Sequence, residues 1–228
     1  MSMSRVKILN IGRKRFNEAL SIQSTISRTI LDALKCGNED RVENTLILVE
    51  HSPVYTVGLR SKQYTPDLVA KLSKVGAEFI VTDRGGLITF HGYGQLVAYP
   101  VLYLGSFGNK SIKWYIHRLE DTVIEMAKNI IKDKSVQIST ICEYPGVWID
   151  KERKLAAIGV NCRRYVTTHG VSINCNTDLS YFEHIIPCGI EGKKVTSFTS
   201  ELQRNFTIEE SIPFFLEAFK NTFKCNYV

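Results

Sequence analysis

The residue of this chain whose neighbours best suit it to covalent chemistry is Cys188, set between Pro187 and Gly189. Proline fixes one backbone torsion and glycine lets another backbone come close, so the trio describes a tight turn that presents a thiol. A cysteine attacks as its thiolate, and it therefore needs a partner that favours negative charge. Lys154, His91, His169 and His184 are the candidate partners. His91 and His169 are each followed by glycine, a pattern that leaves backbone open beside an imidazole and suits the holding of a substrate carbonyl. The blander alternatives are a buried, inert thiol and ordinary hydrogen-bonding histidines.

Two other chemistries find less support. Cys162, Cys175 and Cys188 with His169 and His184 are the residues a zinc ion would use, but the closely spaced cysteine pairs of structural zinc sites do not occur. No Walker-type phosphate loop is present, and the glycines at 92 and 94 do not continue into a dinucleotide fingerprint. The expectation is a reaction that needs no metal and no cofactor.

The elements that must position these residues alternate between strands and helices. A short strand over residues 6–11 feeds a helix over 14–34, whose apolar residues recur at helical spacing. Residues 45–50 form an apolar, strand-forming run that stops at His51-Ser52-Pro53. Thr65 followed by Pro66 opens a helix over 66–75, and strands follow at 78–82, 87–90 and 95–102. A long amphipathic helix occupies 111–131. Residues 147–150 and 155–161 form a hairpin with its turn near Lys151 and Lys154 near its mouth; a strand at 166–174 and a capped helix at 207–220 complete the order. No linker, repeat or low-complexity tract divides the chain, so residues 1–228 are expected to make one α/β domain, of the α+β type, with a mixed sheet and packed helices.

Composition agrees with a folded, soluble protein: 44% of residues are hydrophobic and 23% charged. No apolar run is long enough to span a bilayer, and no secretory signal opens the chain. Six scattered cysteines lack the density of a disulfide scaffold. The net charge of +6 comes from short, dispersed clusters, which argues against nucleic-acid binding.

The ordered series of motifs resembles one family. Arg84, Gly85, Gly86, Leu87, Ile88, Thr89, Phe90 and His91, continuing through Gly92, Tyr93 and Gly94 to Gln95, are similar to the substrate loop of lipoyl (octanoyl) transferases. Lys154 with Ala157, Ile158 and Gly159, then His169, Gly170, Val171, Ser172 and Asn174, then Asp178, and finally Cys188 follow in that family's order and spacing. Tyr93 stands where the family usually has proline, which loosens the loop without removing a functional group.

The resemblance implies a fold related to biotin and lipoate protein ligases and an acyl transfer. Cys188 would take an octanoyl or lipoyl group from acyl carrier protein as a thioester, and Lys154 would favour the thiolate and relay protons. Arg84 to His91, Ala157 to Gly159 and Gly170 to Ser172 would bind acyl substrate, with His169, Asn174 and Asp178 in support. The acceptor would be a lysine of a lipoyl domain, on a 2-oxoacid dehydrogenase subunit or the glycine-cleavage H protein. The same resemblance points to a mitochondrial member, or a cytoplasmic one if bacterial. An ATP-dependent lipoate or biotin ligase and a catalytically silent lipoyl-domain-binding module are the rivals.

Overall fold

A computed structural model describes residues 3–61, 64–186 and 192–228; Pro187, Cys188 and Gly189 therefore lie outside the described residues. Among these, a nine-stranded sheet runs in the order β12-β1-β2-β6-β10-β9-β8-β7, with β11 added to β9, and a three-stranded sheet runs β4-β3-β5. The strands are β1 (Ser4–Lys14), β2 (Asn44–His51), β3 (Val54–Val57), β4 (Glu78–Val81), β5 (Thr89–His91), β6 (Gln95–Val101), β7 (Ile138–Ile141), β8 (Tyr144–Ile149), β9 (Arg153–Arg163), β10 (Val166–Asn174), β11 (Lys194–Val195) and β12 (Cys225–Tyr227). The helices are α1 (Phe16–Lys35), α2 (Pro66–Ser73), α3 (Ile112–Ile131), α4 (Phe198–Leu202) and α5 (Ile208–Phe223). The large sheet is mixed: β1 is parallel to β2 and β12, whereas β2, β6, β10, β9 and β8 pair antiparallel in turn.

β2 and β6 are covered on both faces, which is why their sequences read as continuous apolar runs rather than alternating ones. Leu46, Leu48, Leu96 and Ala98 enter the core under α3 and α5, while Ile47, Val49, Val97 and Tyr99 face α1. The small sheet makes its own core from Tyr55, Val57, Leu72, Ile88, Phe90 and Phe182. Where it meets the α1 face of the large sheet, the polar and glycine-bearing segments of the sequence come together.

Several boundaries differ from the sequence reading. The first strand extends to Lys14 rather than stopping at residue 11, because a bulge at Gly12, φ +62°, carries the pairing with β2 onward from Asn10 to Arg13. Helix α1 then starts at Phe16, its first turn closed by the Glu18 carboxylate accepting from the Arg15 amide at 2.8 Å. The strand expected at 87–90 is shorter and later, Thr89–His91, because the preceding residues wrap over β9. The short strands β3, β7, β11 and β12 carry too little pattern of their own to register in the sequence. Asp150 and Lys151 both take positive φ, the geometry of a two-residue hairpin turn, and place Lys154 opposite Trp148.

Candidate active site

The floor of the site is the ladder between β9 and β10, in which Ala157 pairs with Ser172 and Gly159 with Gly170. Alternation along β10 sends the Val171 side chain into the core beneath the sheet, so Gly170 and Ser172 present the open face. Gly170 has no room for a side chain: a Cβ there would lie 2.2 Å from the Ala98 carbonyl oxygen on β6. Opposite it, a Cβ on Gly159 would point at the Arg84 Cδ at 3.0 Å.

Residues 84–91 form the roof. The Arg84 guanidinium is buried and donates to the Thr56 carbonyl at 2.7 Å, the Thr56 hydroxyl at 2.9 Å and the Gly85 carbonyl at 2.9 Å, which ties the loop to the small sheet. The Gly85 amide donates to Val160 of β9 at 2.9 Å, joining roof to floor. From that loop Gly86, Leu87, Thr89 and His91 face the pocket, whereas Ile88 and Phe90 turn into the small core.

At one end, Phe16 is enclosed by three imidazoles, with ring centroids 5.3 Å from His51, 6.2 Å from His91 and 6.5 Å from His169. Only an acceptor faces Nδ1 of His51, the Lys14 carbonyl at 3.0 Å, so that nitrogen carries the hydrogen and Nε2 accepts from the Tyr99 hydroxyl at 2.8 Å. Burial pulls the pKa of His51 down to about 4 and, with a smaller push from His51, that of His91 to about 3. His51 and His91 are therefore neutral near pH 7, and with Phe16 they give this part of the site an uncharged wall that suits an apolar chain. His169, on β10, has φ +57° and bonds through Nε2 to Asp83 at 2.8 Å; this bond chiefly lowers the carboxyl pKa of Asp83.

At the other end stands Lys154, 5% exposed, with its ammonium 4.8 Å from the centre of the Trp148 ring. Thr89, Ala157 and Ser172 line both its cavity and the pocket, so the two spaces adjoin. A buried chain of amides braces this end. His91 bonds to Gln95 at 2.7 Å, Gln95 donates to Asn174 at 2.8 Å, Asn174 donates to the Thr196 carbonyl at 2.9 Å, and the Thr196 amide donates to the Lys154 carbonyl at 2.9 Å. Phe182 and Val195, which bracket residues 187–191 in the chain, both line the Lys154 cavity.

Of the residues singled out in the sequence, Asp178 stands apart: it caps a short turn by accepting from the Ser180 amide at 3.0 Å. His184 lines a separate outer depression with Tyr64 and Ile88. Sequence reasoning missed Phe16, His51, Asp83, Tyr99 and Asn161, which join the pocket or its rim from five separate segments and carry no local signature. Among the described residues, no group of three or more His, Cys, Asp or Glu side chains is arranged to hold a metal ion.

Comparison with known proteins agrees with this architecture. Residues 19–220 match the family model for the lipoyl protein ligase A/B catalytic domain. The chain is 46% identical over 225 residues to a Danio rerio protein named mitochondrial octanoyl-acyl-carrier-protein:protein N-octanoyltransferase, covering 99% of this chain and 95% of that one. An octanoyltransferase of Koribacter versatilis is 39% identical over 225 residues, covering 96% and 84%. A lipoate protein ligase structure from T. acidophilum with bound lipoic acid superposes with a TM-score of 0.69 at 13% identity, covering 100% of this chain and 88% of that one. A biotin protein ligase from Aquifex aeolicus gives a TM-score of 0.50 at 15% identity, covering 98% and 70%. The structural neighbours share the fold, and the relatives share the sequence along nearly its whole length: this chain is an acyltransferase of the lipoyl protein ligase A/B catalytic-domain family, on its octanoyltransferase branch.

Proposed function

We propose that the chain transfers an octanoyl group from acyl carrier protein to a lysine amine of a lipoyl domain, through a thioester on Cys188. The observation that carries this reading is the position of Lys154. A buried ammonium stands beside a pocket whose other end is walled by Phe16, Tyr99 and the neutral His91, and the residues that bracket Cys188 in the chain flank that ammonium's cavity. Cys188 is six residues from Phe182 and seven from Val195, so an extended chain keeps the thiol within about 20 to 25 Å of that cavity.

In the first step the Cys188 thiolate attacks the donor thioester carbonyl and the carrier's thiolate leaves, taking a proton. The acceptor amine then attacks the acyl-enzyme, loses its proton, and releases Cys188 while forming a more stable amide. Lys154 favours the thiolate by Coulomb attraction and relays the amine's proton. Residues 84–91, 157–159 and 170–172 bind the acyl chain, with His169 and Asn174 bracing them. Other thiols are poorly suited to the role: burial pushes Cys175 and Cys225 up to about 11 and raises Cys162.

The relatives' names support acyl carrier protein as donor and a mitochondrial location. The net charge of +6 would hasten encounter with acidic protein partners. Intact-mass analysis after mixing with octanoyl-acyl carrier protein in the absence of ATP tests donor, nucleophile and nucleotide together. A single octanoyl adduct on Cys188 is expected. Modification that appears only with ATP would favour the ligase reading, and no adduct under either condition would favour a silent binding module.

A further inference from the structure

His169 belongs to two cavities at once. Its imidazole closes the far end of the acyl pocket, and it also lines an outer cleft between α1 and the β9–β10 hairpin, together with Asp83, Asn161 and Gln23. The His169 amide donates to Gln23 at 2.7 Å, the ring bonds to Asp83 at 2.8 Å, and Asp83 accepts in turn from Asn161 at 2.6 Å. A side chain other than glycine at φ +57° is disfavoured, so the fold maintains this ring in place against a backbone preference.

The strand ladder supplies a ruler. From the Ala157–Ser172 pair, which borders the Lys154 cavity, the Gly159–Gly170 pair is one two-residue step away and the Asn161–Thr168 pair is a second. Each step is about 7 Å at strand rise. An extended octanoyl chain has seven carbon–carbon bonds of about 1.5 Å and spans about 9 Å as a zigzag. With its carbonyl at the Ala157–Ser172 pair, such a chain would pass the Gly159–Gly170 pair and end at His169. A dodecanoyl chain of about 14 Å would reach the second pair, which lies in the outer cleft.

We infer that His169, pinned by Asp83, is the partition that limits the acyl chain to eight carbons, and that the outer cleft is the space a longer chain would enter without it. This rests on the acyl-transfer reading above. His169 acts here as a specificity determinant, and the cleft beyond it is latent substrate-binding space.

The test is acyl-enzyme formation by intact mass with hexanoyl, octanoyl, decanoyl and dodecanoyl carrier protein. His169→Gly suits it because glycine accepts the positive φ and removes the ring. The expected result is at least a tenfold rise in the dodecanoyl-to-octanoyl rate ratio over wild type. Asp83→Ala, which unpins the ring from the surface, should raise the same ratio by a smaller factor and keeps the proposal testable should the glycine variant not fold. A merely structural role for His169 would slow all four chains alike. Unchanged chain-length ratios in both His169→Gly and Asp83→Ala would overturn the partition while leaving acyl transfer intact. No adduct from any donor on wild type would instead overturn the function on which it rests.

Discussion

Acidification should destabilise this fold through His51 in a measurable and assignable way. The imidazole is fully buried, with Nδ1 donating to the Lys14 carbonyl and Nε2 accepting from Tyr99, so the folded state has no place for a second ring proton. Its pKa falls from 6.5 to about 4 on folding, chiefly because burial penalises the charged form. The unfolded chain therefore binds more protons in this window. The contribution of His51 is fully present above pH 6.5, declines as pH falls towards 4, and is lost below that. A shift of about 2.5 units corresponds to about 3 kcal/mol in full, and about 2 kcal/mol of this is already lost at pH 5. Urea unfolding at pH 7.5 and pH 5 of wild type and His51→Asn gives the comparison, since the Asn amide can still donate to Lys14 but does not titrate. The variant starts less stable and should lose about 2 kcal/mol less than wild type over that interval. Equal losses in the two proteins would refute both the tautomer and the burial argument.

Other outcomes follow from the same geometry. Gly170→Ala drives a methyl into the Ala98 carbonyl and should cost about 3 kcal/mol or more in urea unfolding, because both clashing groups belong to paired strands. Cys188→Ser should abolish transfer and the acyl-enzyme mass, whereas Cys162→Ser and Cys175→Ser should retain most activity in the same assay. Lys154→Ala should raise the pKa of Cys188, read from iodoacetamide alkylation against pH, and an unchanged profile would remove the pairing. Lys154→Arg keeps the charge and should form acyl-enzyme better than Ala while remaining slow towards the acceptor amine. Apparent affinity for the acyl-carrier donor should weaken as salt rises, measured from initial rates; a flat response would leave the net charge as a solubility feature.

What could be read from the chain alone is what depends on near neighbours in sequence. The Thr207–Glu210 capping box, the Thr65 cap and the apolar spacing of α1 and α3 are local, and each appears in the structure close to its expected place. The residues of the motif series, from Arg84 through Lys154 to Ser172, likewise announce themselves because each short segment keeps its own order and spacing. Helix and turn signals act over a few residues, so a linear reading captures them. Tertiary structure decided the rest. Nothing near Phe16 in the chain marks it as the plug of the pocket; it gains that role when α1 packs across β2, β6 and β10 and three histidines from separate strands close around it. His51 looked like the end of a strand, and only burial against Tyr99 makes it a neutral wall. Within residues 84–91 and 157–159, pleat alternation decides which side chains face the pocket, and that depends on pairing with strands far away in sequence. Lys154, polar and near a turn, reads as a surface residue by local rules. It is buried because β11 pairs alongside β9 and Trp148 covers its ammonium, contacts that only the folded chain brings within reach.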